Sequence, residues 1–215
     1  MPRYSARRMQ RDAKSERSQR MVLDAALKLF SRQGYRATTV REIAKAARVS
    51  TGNLYHHFPD KEAIFRTLLD EYREIVMSPR FGVARALSSG TFPDNLEDFG
   101  YAIRDVVRQF RSYMALHYVD VIEFDGTHIR EFYSSIDKRF TELVEGQNNG
   151  GVAIRVRPGI SAISALHVAT RTFLQYFQLE TLFGVPEPFG KDSAEVVREI
   201  ADILRNGIAE RNGTA

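Results

Sequence analysis

One stretch decides the fold of this chain: residues 38–62, which read TTVREIAKAARVSTGNLYHHFPDKE. Thr39 is followed three residues later by Glu42, and this capping-box spacing predicts that a helix begins there. Apolar residues then recur at helical spacing, and they are Val40, Ile43, Ala44 and Ala47. Residues 48–50 are too few for anything but a turn. A short amphipathic helix followed by a tight turn is therefore predicted.

A second helix follows the turn. Ser50 can cap its N-terminus, Leu54 and Phe58 form its buried side, and Pro59 ends it before a longer helix that Asp60 can cap. The other positions present short polar or aromatic groups to a different side: Thr51, Gly52, Asn53, Tyr55, His56 and His57. Such groups at the start of a helix suit the major groove of DNA. The stretch predicts a DNA-reading helix-turn-helix.

Further residues of this region have positions suited to the DNA backbone. Thr38 and Thr39 can donate to a phosphate beside the first motif helix, whose N-terminus is itself an anion site. Arg41 and Lys45 lie on the outward face of that helix, and Ser50 begins the reading helix.

The flanking sequence resembles a known family. Residues 25–30 (AALKLF) precede Gly34-Tyr35 and Thr38-Thr39-Val40, and residues 54–58 (LYHHF) precede Asp60-Lys61-Glu62. In this order and spacing, over about residues 17 to 76, they resemble the TetR family of bacterial one-component regulators. The resemblance implies that Tyr55 and one of the adjacent histidines contact bases or phosphate, and that Lys61 grips the DNA backbone.

The charge is distributed unevenly. Residues 1–50 contain 13 Lys and Arg against 4 Asp and Glu, whereas the remaining residues contain 18 against 23. A basic N-terminal segment followed by an acidic remainder is typical of a protein that contacts DNA with one domain. The first 17 residues are basic and nearly free of apolar side chains, which predicts a flexible tail. Such a tail is either an arm that contacts phosphates or the minor groove of DNA, or a disordered leader that raises non-specific affinity.

Several functional classes find little support. No apolar run reaches the roughly 18 residues of a membrane span, and the N-terminus resembles no signal peptide. The chain has no cysteine, so thiolate metal sites and disulfides are excluded. Phosphate-cradling glycine loops, nucleophile elbows and His-Glu-x-x-His are missing. We expect a cytoplasmic protein that is not an enzyme and needs no cofactor.

One group of residues contains side chains that could bind a metal ion. His117 and Asp120 are three residues apart on a predicted helix, with Asp125, His128 and Glu131 nearby in sequence. Such side chains can ligate zinc or iron. Their spacing matches no specific motif, and His117 lies among apolar positions, so no metal is predicted.

The predicted architecture is all-α, with about nine helices. We divide the chain into a basic flexible tail (1–17), a helix-turn-helix DNA-binding domain (18–77), and an effector-binding and dimerisation domain (78–215). The last of these contains five helices, the final one running from Asp192 to about Ala209. Val152, Ile154 and Val156 alternate like a strand but have no evident partner, so a loop is predicted there.

The C-terminal part contains more large apolar groups than a small bundle needs, with polar residues among them, as in a small-molecule pocket. The predicted ligand-binding residues are Tyr72, Ile103, Phe110, Tyr113, His117, Val121, Phe132, Ile136, Arg171 and Leu174. The last two helices resemble those through which the family forms homodimers. The predicted interface residues are Phe173, Phe177, Val197, Ile200 and Leu204.

The sequence is thus interpreted as a homodimeric transcriptional repressor that a small, largely apolar or aromatic effector releases from a palindromic operator. An activator or dual regulator on the same scaffold remains open. An architectural DNA-binding protein without an effector is the alternative from a different class.

Overall fold

The computed structural model describes residues 3–146 and 153–206, which contain ten helices and two short strands. The first four helices are α1 (Arg3–Gln33), α2 (Val40–Ala47), α3 (Thr51–His57) and α4 (Lys61–Met77). They are followed by α5 (Gly82–Ser88), β1 (Thr91–Phe92), α6 (Leu96–Gln109) and α7 (Arg111–Glu123). The remaining elements are α8 (Thr127–Glu145), β2 (Ala153–Ile154), α9 (Ala162–Thr181) and α10 (Ser193–Asn206).

The all-α prediction is confirmed, with two corrections. Helix α5 is an additional helix, in a segment rich in Gly, Ser and Pro at the predicted domain boundary, and no side chain caps its start. The predicted loop around Ile154 instead contains β2, which pairs in parallel with β1 through Thr91–Ala153 and Phe92–Ile154. The partner strand is some sixty residues away, so the local pattern could not reveal it. Val152, and the end of the predicted last helix at 207–209, lie outside the described residues.

Helix α1 is the largest departure from the sequence-based expectation. It begins at Arg3, whereas residues 1–17 were predicted to be a flexible tail and the helix was predicted from about Ser18. The basic segment has few apolar residues to bury, but it contains neither Gly nor Pro between Arg3 and Gln33. Arg, Lys, Glu, Gln and Ala all favour the helical backbone. At about 1.5 Å per residue, α1 spans roughly 46 Å.

The chain forms two compact units that are not contiguous in sequence. Unit 1 consists of Met1–Glu74 and Ser112–Phe132, and unit 2 consists of Ile75–Arg111 and Tyr133–Ala215. The helix-turn-helix therefore shares its unit with α7 and the start of α8. The predicted boundary at residue 78 assigns both segments to the effector domain. The order of residues alone cannot show which distant helix packs into the N-terminal core.

Unit 1 is organised around a single apolar core. Its buried residues include Phe30 of α1, Ile43 of α2, Leu54 of α3 and Phe65 of α4, together with Leu116 of α7. All five side chains have no exposed surface. The apolar stripes that were read from the sequence thus supply one face of each helix to this core.

Unit 2 is built around α6, α9 and α10. Gly100 of α6 allows a close approach, because a Cβ at this position would lie 2.7 Å from Cε1 of Phe173 in α9. The Phe173 ring also meets Phe99 edge to face, with ring centroids 6.4 Å apart. Val196 and Val197 of α10 are fully buried. These residues make the core of unit 2.

Candidate functional site

Helix α2 is held in place by the capping box that its sequence predicts. The Glu42 amide donates to the Thr39 hydroxyl (3.2 Å), and the Thr39 amide donates to the Glu42 carboxylate (2.7 Å). The Thr39 hydroxyl also donates to that carboxylate at 2.7 Å, and this bond, followed by the one from the Thr39 amide, lowers the pKa of Glu42. Two otherwise unpaired amides at the start of the helix are thereby satisfied. The box fixes the direction in which α2 begins.

The turn between α2 and α3 uses one left-handed residue. Arg48 has φ 57° and its amide donates back to carbonyls of α2, which closes that helix. Ser50 then caps α3 by accepting from the Asn53 amide at 3.1 Å. Leu54 is buried, while Tyr55 is 51% exposed. The turn therefore directs Gly52, Tyr55 and His56 of α3 outward.

An exposed surface results from this arrangement, and we call it the reading surface. Its α2 members are Arg41 and Lys45, and its α3 members are Gly52, Tyr55 and His56, all of them exposed, with Thr51 half-buried beside them. A Cβ added at Gly52 would meet no atom within 4 Å, so another surface has room to approach there. The surface combines two cations with donors and acceptors on one side of the motif.

Two residues that were predicted to touch DNA have internal roles instead. Thr38 is fully buried, and its hydroxyl donates to the Gly34 carbonyl at 2.7 Å. The Lys61 ammonium donates to the carbonyls of Tyr35 and Thr38, both at 2.7 Å. It also lies 4.1 Å from the centre of the Tyr35 ring. Burial lowers the pKa of Lys61, opposed by the nearby carboxylate of Glu123. Lys61 therefore secures the loop before α2.

His57 likewise turns inward from the reading surface. Its Nε2 lies 2.7 Å from the Ser18 hydroxyl of α1. Burial, followed by the charge of His56, lowers the pKa of His57, which disfavours a cationic grip on phosphate. The sequence grouped all polar residues of α3 on one side, but a helix of seven residues also turns some of them towards α1.

The N-terminal half of α1 flanks the reading helix. Arg11, Lys14 and Ser18 line an open groove of about 690 Å³ together with Asn53 and His57. The basic segment was predicted to be a flexible tail, so neither the helix nor this groove was predicted from the sequence. The uninterrupted run of helix-forming residues was the available signal.

Glu123 is a second feature that no sequence pattern indicated. This residue ends α7, and its carboxylate accepts from the amides of Tyr35 (2.9 Å) and Arg36 (2.6 Å). Both amides belong to the loop between α1 and α2. Helix α7 is therefore hydrogen-bonded directly to the segment that leads into the helix-turn-helix.

Four of the predicted ligand-binding residues form an aromatic cluster within unit 1, the α4–α7–α8 cluster of Tyr72, Tyr113, His117 and Phe132. Tyr72 stacks between Tyr113 (ring centroids 5.4 Å apart) and Phe132 (5.5 Å). The His117 ring lies 4.7 Å from that of Phe132. Burial lowers the pKa of His117 to about 4, so its imidazole is neutral near pH 7.

The other predicted ligand-binding residues are distributed differently. Val121 is 53% exposed and Arg171 is also exposed, so both are corrected from pocket-lining to surface positions. Each lies on the solvent side of its helix, which an apolar neighbourhood in sequence does not reveal. The remaining four lie buried or half-buried in unit 2, and they are Ile103, Phe110, Ile136 and Leu174.

Comparison with known proteins gives a family match for the helix-turn-helix segment. The model of the family described as "Bacterial regulatory proteins, tetR family" matches residues 22–68, the segment from α1 into α4 that presents the reading surface. The chain belongs to the TetR family. Its similarity to individual members extends beyond this segment.

Two relatives illustrate that similarity. The chain is 34% identical over 139 residues to the HTH-type transcriptional repressor KstR2 of Rhodococcus jostii, a match covering 61% of this chain and 63% of that protein. It is 30% identical over 154 residues to the A-factor receptor protein of Streptomyces griseus, covering 72% and 53% respectively. The chain thus spans less than two thirds of each of these TetR-family relatives.

Solved structures share the fold over nearly the whole chain. The fatty acid degradation regulator FadR of Bacillus halodurans superposes with a TM-score of 0.66 at 18% identity, covering 90% of this chain and 97% of that one. FadR of Bacillus subtilis, solved in complex with stearoyl-CoA, gives a TM-score of 0.62 at 19% identity, covering 88% and 98%. At these identities the likeness describes the fold of this TetR-family chain.

The predicted dimer residues are mostly internal in this TetR-family chain. Phe173, Phe177 and Val197 are fully buried within unit 2, Ile200 is 4% exposed, and Leu204 is half-buried. The strongest apolar stripe of a helix faces its own core, and the sequence analysis took that stripe for the interface. The exposed apolar side chains of this region are Val168, Phe183, Val185, Phe189 and Ile203, each 41–55% exposed.

Two of the candidate metal ligands, Asp120 and His128, are hydrogen-bonded to each other. Asp120 is fully buried and accepts from the amides of His128 (3.1 Å) and Ile129 (2.9 Å), with His128 Nδ1 at 2.6 Å. It therefore anchors the first turn of α8. Among the described residues no group of three or more His, Asp or Glu is placed to hold a metal. No helix in the described part of the chain is both long and apolar enough to cross a membrane.

Proposed function

We propose that this protein is a transcriptional repressor that binds a palindromic DNA operator as a homodimer and is released by a small effector. The observation that carries the proposal is the reading surface, where Tyr55 and His56 project from a capped α3 beside Arg41 and Lys45 of α2. A recognition helix with its N-terminal residues exposed can enter the major groove, while the cations contact phosphates. The relative KstR2 is named a repressor, which supports repression rather than activation.

The homodimer rests on the exposed apolar side chains near the C-terminal end of the described chain. Phe183, Phe189 and Ile203 are 51%, 55% and 45% exposed. Burial of such large apolar side chains against a second copy of the chain would remove them from water. A two-fold dimer places two reading surfaces on half-sites separated by about 34–36 Å, or a multiple of it, which is why the operator is expected to be palindromic.

The effector is supported by the aromatic α4–α7–α8 cluster and by the relatives. FadR of Bacillus subtilis was solved with stearoyl-CoA, and the Streptomyces protein is named a receptor. We assign no enzymatic activity, since these named relatives are regulators and receptors, and we assign the protein to the cytoplasm, where its operator would lie. An activator on the same scaffold would use the same surfaces, and reporter transcription with and without the protein separates the two signs.

The decisive experiment is selection of bound sequences from random DNA, followed by affinity measurement on the selected site. Enrichment of a palindrome is expected. Tyr55→Ala should weaken binding to that site by about 1–3 kcal/mol, or roughly five- to 150-fold. The matched control is Tyr133→Ala, which removes an exposed tyrosine of α8 in unit 2 and should leave the affinity unchanged. Selection without a palindrome, or equal losses in the two variants, would contradict the proposal.

A further inference from the structure

A small cavity lies within unit 1, between α4, α7 and α8. Its volume is about 200 Å³, and its lining includes Leu69 of α4, His117 of α7, and Ile129 and Phe132 of α8. An engineered apolar cavity of about 150 Å³ binds benzene, whereas sites for drug-sized ligands occupy about 300–1,000 Å³. The space therefore suits a molecule with one aromatic ring and cannot enclose a coenzyme A thioester.

His117 contributes an unsatisfied polar atom to this lining. Its Nε2 is buried and has no hydrogen-bond partner among the described residues. Leaving such a group unpaired costs about 1–3 kcal/mol, which a ligand that pairs with it would recover. A neutral imidazole presents either an N–H or a lone pair at this atom, and a hydroxyl group can satisfy both forms.

The charges of the cavity lining argue for a neutral ligand. Arg73 is paired with Asp70 at 2.7 Å and with Glu131 at 3.8 Å. Arg66 lies 3.4 Å from Glu62. Both cations of the lining thus already have carboxylate partners, and an anionic ligand would have to displace them.

We propose that this cavity binds a small neutral aromatic alcohol, of the size of phenol, with its hydroxyl group on Nε2 of His117 and its ring against Phe132 and Ile129. The volume selects a single ring, the unpaired nitrogen selects a hydroxyl group, and the paired charges select a neutral molecule. The ligand is thus distinct in class from the acyl thioester that one structural neighbour binds.

Ligand binding here would act on the helix-turn-helix within the same unit. His117, Asp120 and Glu123 follow one another along successive turns of α7. Asp120 anchors the start of α8, and Glu123 accepts from the amides of Tyr35 and Arg36 before α2. A ligand that shifts His117 shifts the helix that holds this loop. This regulatory step rests on the proposed function, whereas the binding step does not.

The test is calorimetric titration of phenol, toluene and benzoate into the full chain near pH 8. Phenol should bind saturably and about tenfold more tightly than toluene, which lacks the hydroxyl, and than benzoate, which is charged. His117→Phe keeps a ring but removes Nε2, so it should abolish the preference for phenol over toluene. The matched control is His167→Phe in unit 2, which should bind phenol like the wild type. Failure of phenol to saturate the wild type, tighter binding of benzoate, or a retained preference in His117→Phe would overturn the proposal.

A second arm measures operator affinity with and without saturating phenol. A fall in affinity for the wild type, and none for His117→Phe, supports regulation through α7. Saturable phenol binding with unchanged operator affinity leaves the cavity assigned and overturns its regulatory role. If no specific operator can be selected, the proposed function fails, and the phenol titration still decides the cavity.

Discussion

The burial of His117 should make the stability of this protein depend on pH in a way that one substitution removes. The pKa of His117 is lowered from 6.5 to about 4 by burial, partly offset by Asp120. At pH 5 the imidazole of the unfolded chain is almost fully protonated, while that of the folded chain is almost fully neutral. Proton binding therefore favours the unfolded chain by about 2 kcal/mol at pH 5 relative to pH 8. The loss of stability grows as the pH falls from about 7 towards about 4.

The assay is urea unfolding of the wild type and of His117→Phe at pH 8 and at pH 5. The fall in unfolding free energy between these pH values should be about 2 kcal/mol larger for the wild type. Leu116→Val, which alters a fully buried neighbour on α7, should lower stability similarly at both pH values and keep the wild-type dependence on pH. Equal pH dependence in the wild type and His117→Phe would refute the inference that a neutral, buried imidazole is part of the folded state.

Two further predictions concern packing in unit 2 and the charge of the reading surface. Gly100→Ala should destabilise the protein by about 1–3 kcal/mol in urea unfolding, because the new Cβ would lie 2.7 Å from Phe173. Alanine ordinarily favours a helix over glycine, so equal or greater stability of the variant would contradict the close approach of α6 and α9. Lys45→Ala should reduce the slope of log operator affinity against log salt concentration by about one. The control is Lys138→Ala, which removes an exposed lysine of α8 and should leave the slope unchanged. The same slope in both variants would show that Lys45 does not contact DNA.

Local signals were sufficient for the elements of the helix-turn-helix. The box of Thr39 and Glu42, the cap at Ser50 and the stop at Pro59 each involve residues within a few positions of one another. Such interactions form whenever the local backbone is helical, so their spacing in the sequence predicts them. The same reasoning failed for α5, which has no side-chain cap, and for the two strands, which pair across some sixty residues.

The roles of individual polar residues depended on partners that are distant in the chain. Lys61 was assigned to DNA, yet it donates to carbonyls 23 and 26 residues away. His57 meets Ser18 across 39 residues. A polar side chain near the end of a helix looks the same in the sequence whether it faces solvent or a buried carbonyl. Only the packing of α3 against α1, and of the start of α4 against the loop before α2, distinguishes these cases.

By itself, the sequence determined that the chain is helical, where its DNA-reading motif lies and which family it belongs to, because caps, turns and apolar stripes are properties of neighbouring residues. Tertiary structure alone decided that α7 shares a unit with the helix-turn-helix, that Glu123 holds its loop, and that His117 lines a small cavity with an unpaired nitrogen. Cavities and buried charges arise where segments distant in sequence meet. Their energies depend on burial and on partners, which no local spacing encodes.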